Sequence, residues 1–108
     1  MKPLVWVGSF HEDLKAFPSE VQHEMGYALY ISQKGDKHPK AKPLKGFSGV
    51  IEIRSDYRTN TYRAVYTTKI DDVIYVLHAF EKKAKRGIQT PKKEVDLIKR
   101  RLKSLRTQ

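Results

Sequence analysis

Alternation and helical spacing divide this chain into a strand, two helices, three further strands and a last helix. Leu4-Val5-Trp6-Val7 is a run of β-forming residues closed by Gly8, and it reads as a short first strand. Ser9 is suited to cap a short helical stretch through His11-Glu12-Asp13-Leu14-Lys15. Pro18 suits the first turn of a second helix, where its missing N–H would have no partner in any case. Val21, Met25, Ala28 and Leu29 then recur at spacings of three and four, which gathers them into one apolar stripe. Ser32 takes the next place on the stripe and ends its apolar part; Gly35 is a natural stop.

Residues 34–49, KGDKHPKAKPLKGFSG, hold two prolines, three glycines and five lysines, a composition that predicts a loop between helix and sheet. Val50 to Ser55 then alternates apolar with polar residues after its first pair, and Thr61 to Thr67 follows a turn at residues 56–60. Val73 to Phe80 is apolar almost throughout, which predicts a central strand covered on both faces. The short turns between these runs imply an antiparallel meander. Thr90 as cap and Pro91 at the first position open a closing helix, with Val95, Ile98, Leu102 and Leu105 as a narrow apolar seam. The order β-α-α-β-β-β-α predicts an α+β fold, with two N-terminal helices and a C-terminal helix packed on an antiparallel sheet. At 108 residues, the span 1–108 reads as a single domain.

The same alternation assigns faces. Ile51 and Ile53 oppose Glu52 and Arg54, while Arg63, Val65 and Thr67 oppose Tyr62, Ala64 and Tyr66. His78 and Phe80 fall with Ile74 and Val76. If the helices cover the Ile51/Ile53 side, then Glu52, Arg54, Arg63 and His78 gather on an open one. Each also has a plain structural account. Glu52 and Arg54 suit the polar side of a half-exposed strand, Arg63 suits a cross-strand ion pair with Glu52, and His78 suits a satisfied core position.

Charge changes the picture more than composition does. The chain carries 22 Lys+Arg against 12 Asp+Glu, a net of +10. Residues 79–108 hold 11 of those cations against 3 anions, so +8 of the excess lies in the last third. Such asymmetry points to a polyanion or an acidic protein as partner, beside the simpler account of a solvated helix face. With no cysteine, disulfides and thiolate metal sites are excluded. No metal-ligand spacing of the DxD or HExxH kind appears, so neither a metal nor another cofactor is expected. The longest apolar run, Val73 to Leu77, is far short of the ~20 residues of a membrane span. MKPLVWVGSF has no long apolar segment, so no signal peptide, no membrane contact and a cytoplasmic location are expected.

The stretches PLKGFSGVIEIRSDYRTNTYRAVY and VIYVLHAFEKKAKRGIQTPKKEVDLIKRR resemble the RelE/HigB-like toxins of type II toxin–antitoxin systems, in the phage-derived, HigB-type group. The resemblance rests on five elements in order. These are Leu44-Lys45-Gly46, Glu52-Ile53-Arg54, Tyr62-Arg63 with Ala64-Val65-Tyr66, the strand end His78, Phe80, Lys82 and Lys83, and Thr90-Pro91 before a basic helix. It covers about residues 3–103 and implies a RelE-like fold. It also implies an endoribonuclease that cuts mRNA in the ribosomal A site and inhibits translation, with ribosomal RNA and a cognate, HigA-like antitoxin as further partners. The alternative is a basic module that binds RNA or the ribosome without chemistry.

By that resemblance Arg63 matches the sheet arginine used at the scissile phosphate, Lys83 the cation after the last strand, and Arg54 the arginine closing its strand. Two departures stand out: Val50 and Glu52 occupy places where RelE has lysines, and no tyrosine after Lys83 matches RelE's C-terminal one. Metal-free cleavage uses the ribose 2′-OH against the adjacent phosphorus, leaving a 2′,3′-cyclic phosphate and a 5′-OH. It needs a proton acceptor, a proton donor and cations. Arg63, Arg54 and Lys83 supply cations, and His78 and Glu52 are the candidate proton carriers. Lys82, Lys85, Arg86, Lys92 and Lys93 suit RNA docking, as do Lys99, Arg100, Arg101, Lys103 and Arg106 further along; Tyr62 and Phe80 are candidate stacking platforms. The catalytic reading requires that the Arg63 side chain is not buried beneath the helices and lies close enough to Lys83 for one phosphodiester to touch both.

Overall fold

Eight elements build the chain: β1 (Leu4–Trp6), α1 (Phe10–Lys15), α2 (Ser19–Gln33), β2 (Ala41–Pro43), β3 (Val50–Tyr57), β4 (Asn60–Ile70), β5 (Val73–Lys82) and α3 (Lys92–Arg106). This computed structural model describes residues 1–8, 10–82 and 90–106; the Ser9 cap and Lys83, Lys85 and Arg86 lie outside them. Among the described residues no helix is long and apolar enough to cross a membrane.

The five strands form one sheet in the order β1-β5-β4-β3-β2. β2 through β5 pair antiparallel, as the short turns imply. The predicted sheet needs two corrections. β1 adds in parallel beside β5, with Leu4 against Ile74, so the sheet is mixed. Residues 34–49 are also more than a loop, because Ala41–Pro43 pairs with β3 as the opposite edge strand.

Helices lie on both faces. The stripe on α2 buries Val21, Met25, Ala28 and Leu29 against Ile53, Tyr62, Ala64, Tyr66, Ile74 and Val76. Ser32 continues that stripe into the core, where its hydroxyl donates to the Tyr66 hydroxyl at 3.0 Å. On the other face α3 sets Ile98 and Leu102 against Val65, Leu77 and Phe80. β5 therefore has strands on both edges and helices on both sides, which accounts for its unbroken apolar run. Among the described residues the face opposite Ile53 carries a groove toward its β2 edge.

An irregularity in β5 changes one face assignment. Val65 pairs with His78 but Tyr66 pairs with Val76, so Leu77 is an extra residue in the ladder. Such a bulge shifts the alternation by one. His78 and Phe80 therefore lie on the α3 side with Arg63 and Val65, not with Ile74 and Val76.

Arg101 pins α3 to that bulge. Its Nη1 donates to the Leu77 carbonyl at 2.7 Å. The guanidinium passes so close to Gly8 that a Cβ there would sit 3.2 Å from Nη2, and Gly8 has φ +68°. A side chain at this position meets both left-handed strain and a crowded neighbour. Gly8→Ala is expected to lower stability by about 1–2 kcal/mol, read as a reduced urea midpoint with unchanged m-value.

Candidate functional site

Period two on β3 sets Glu52, Arg54 and Asp56 in a row on the face away from α2. Across the ladder Arg63 of β4 lies directly opposite Arg54, and Lys42 of β2 lies directly opposite Glu52. Together with Pro39 and Lys40 these side chains line a groove of about 520 Å³ at the β2 edge of the sheet.

The groove is a mosaic of paired charges. Arg63 Nη1 donates to Glu52 Oε1 at 2.7 Å, and Thr90 Oγ1 donates to the other carboxylate oxygen at 2.8 Å. Arg54 Nε donates to Asp56 Oδ1 at 3.1 Å, and Thr61 Oγ1 donates to the same oxygen at 3.0 Å. Burial alone would raise the Asp56 carboxyl, but the bonds from Arg54 and Thr61 hold it below its ordinary value. Lys40 pairs outward with Glu24 of α2 at 2.8 Å.

Arg63 departs most from expectation. It is 3% exposed and sits on the groove floor with its guanidinium against Glu52, so the structure does not present it openly to a substrate. The cross-strand ion pair is the arrangement found. Glu52 and Arg63 are diagonal neighbours, which long side chains span readily. Thr90 closes the pair from above; the helix starts only at Lys92, and the Thr90 hydroxyl reaches across to Glu52.

His78 is not part of the groove. It lies under α3, 7% exposed, with Nε2 bonded to Glu94 Oε1 and its ring stacked on Phe80 at 5.1 Å. Burial lowers its pKa from the ordinary histidine value, outweighing the opposing pull of Glu94, with Arg101 pushing the same way as burial. The extra residue at Leu77 and the cover from α3 put it there. The two aromatic platforms are also core residues. Tyr62 packs on the α1/α2 side, 4.8 Å from the Phe17 ring, and Phe80 is enclosed with Ile98 and Leu102.

Of the cations assigned to docking, Lys92 and Lys93 are exposed on the first turn of α3, and Lys82 is half-buried at the end of β5. Lys93, Lys99 and Arg100 share one solvent-facing patch with Asp96. Arg101 is the exception, since it serves the Leu77 bulge. Lys40 and Lys42 were missed as groove residues because their segment reads as a loop. The signal for them was Ala41, a lone apolar residue that fixes the phase of a three-residue strand. Among the described residues, no group of three His, Asp or Glu side chains could hold a metal ion.

A family model described as "Phage derived protein Gp49-like" matches residues 12–103. No curated protein matches the chain. Among solved structures, the crystal structure of the isolated E. coli RelE toxin superposes with a TM-score of 0.60 at 20% sequence identity, covering 93% of this chain and 98% of that one. The expected RelE-like fold is thus present.

Proposed function

We propose, from the premise that this chain belongs to the phage-derived Gp49-like family, that it is the toxin of a type II toxin–antitoxin module and cuts mRNA. The observation that carries this reading is a RelE fold whose groove is lined by two arginines that are direct partners on facing strands, Arg54 and Arg63. Guanidinium binds phosphate oxygens in pairs, and two of them in register suit a phosphodiester and the charge that builds on it during attack by the ribose 2′-OH. Arg54 is the accessible member, with 43% of its side chain exposed. Arg63 acts from the floor and binds phosphate when the incoming anion takes the place of the Glu52 carboxylate. Glu52, released in the same exchange, is then the group beside the reacting atoms able to accept the 2′-OH proton. Lys83, which follows β5 directly in sequence, is the further cation this reading calls on.

The basic face of α3 supports a ribosome-bound mode of action, because Lys93, Lys99 and Arg100 are free of the core and suit ribosomal RNA. An acidic antitoxin, of HigA-like type, would cover the same charges and the groove, and the cytoplasm is the compartment where such targets are met.

One observation favours a second reading. The closed Glu52–Arg63–Thr90 linkage is what a purely structural ion pair looks like, and a module that binds RNA without cutting it needs no more. Mapping mRNA 5′ ends after induction separates the two. The wild type is expected to produce codon-phased 5′-OH ends. Arg54→Ala, an exposed substitution that leaves thermal stability unchanged, should slow their appearance on the order of a hundredfold. Translation arrest with intact mRNA would establish the binder instead. Growth unaffected by the wild type would defeat both readings.

A further inference from the structure

The groove holds four cations, and three of them already face a carboxylate. Arg63 is held by Glu52, Arg54 by Asp56 and Lys40 by Glu24. Lys42 alone among the described groove residues has no carboxylate within ion-pairing distance, and it is exposed. Its position is fixed. Ala41 is buried in the α2-side core opposite Ile53, so alternation turns Lys42 to the groove side opposite Glu52. Pro43 restricts the backbone beyond it, and Leu44, buried in the second core, closes the segment by donating its N–H to the Val50 carbonyl at 2.9 Å.

We propose that Lys42 is the outer phosphate contact of the groove, meeting the backbone of single-stranded RNA before that backbone reaches the two arginines. The proposal rests on the RNA-directed reading above and adds a residue and a direction of approach to it. A lysine here does for β2 what a cation on the β3 strand cannot, since the corresponding β3 position is Glu52. The groove lining argues for RNA over an acidic protein. Pro39 is its one apolar residue, whereas a protein-docking surface needs an apolar centre and a phosphate backbone needs only charge.

A lysine beside a proline on an edge strand has another use, which is to block pairing with other chains. Lys42→Glu separates the two roles, because either charge guards an edge while only a cation holds phosphate. The test is fluorescence anisotropy of a labelled single-stranded RNA against the full chain from low to moderate salt, with Lys42→Ala, Lys42→Glu and, as an exposed lysine off the groove, Lys37→Ala. Lys42→Ala should weaken binding about five- to tenfold and reduce the salt slope by ~0.7. Lys42→Glu should weaken it further, and Lys37→Ala should change little, all with wild-type melting curves. Equal losses from Lys37 and Lys42, an unchanged slope, or wild-type affinity in Lys42→Glu would each overturn the proposal. So would loss of binding to polyglutamate with RNA binding intact, which would make the groove a protein site. If the wild type binds RNA through Lys42 yet produces no cut ends, the cleavage reading fails and the contact stands.

Discussion

Glu52→Ala will destabilise this fold by about 3–5 kcal/mol, and more than Arg63→Ala will. The asymmetry follows from where the two charges lie. The Arg63 side chain is 4% exposed and that of Glu52 is 16%, so the guanidinium is the member water cannot reach. Removing Glu52 takes away a carboxylate paired with a buried cation. Removing Arg63 leaves a carboxylate that still accepts from Thr90 and borders an open groove. Replacing both, Glu52→Leu with Arg63→Met, removes the buried charges together and should return most of the lost stability. Urea unfolding followed by circular dichroism reads all three. Equal losses from the two single changes would show that the groove does not hydrate Glu52. This ordering also bears on function. Arg63→Ala cannot serve alone as a test of chemistry, since it loosens the fold as well; the double variant, folded but without either charge, is the proper comparison with Arg54→Ala.

Ile53→Asp will prevent folding. Ile53 is fully buried where α2 crosses β3, enclosed by the cluster of Met25, Ala28, Tyr62 and Tyr66. A carboxylate there has no described cation beside it and must be desolvated or protonated. Either route costs several kcal/mol, and the lost isoleucine packing adds about 2 more. That total matches the whole stability of an ordinary domain, ~5–15 kcal/mol. The expected result is insoluble protein or a spectrum without a cooperative melt. Soluble, cooperatively melting Ile53→Asp would place the core elsewhere.

Local pattern carried the helices and the three long strands, because the helices bury a stripe at their own period and the strands either alternate or, in β5, run apolar. Val21, Met25, Ala28 and Leu29 could belong only to a helix, and the unbroken run from Val73 to Leu77 only to a strand enclosed on both sides. Three features left too little local trace to read. β2 has three residues, one of them proline, too few to show alternation. The parallel docking of β1 depends on a strand some 70 residues away. The extra residue at Leu77 is hidden because nearly every neighbour is apolar, so a shift of one changes nothing in the pattern while moving His78 and Phe80 to the other face. At the site, charge alternation made the Glu52–Arg63 pair legible. What it could not show was Thr90 reaching that pair from beyond β5, or Lys42 set opposite Glu52 from the far edge.

The parallel placement of β1 sets an order of events during synthesis. Residues 4–6 are made some 70 residues before their hydrogen-bonding partners, residues 74–76. Until then the leading segment has no place in the sheet, and α1 lacks its main partner, β5. Contacts so distant along the chain close late and slowly. A nascent copy therefore carries its leading strand unpaired until residues 74–76 have been made.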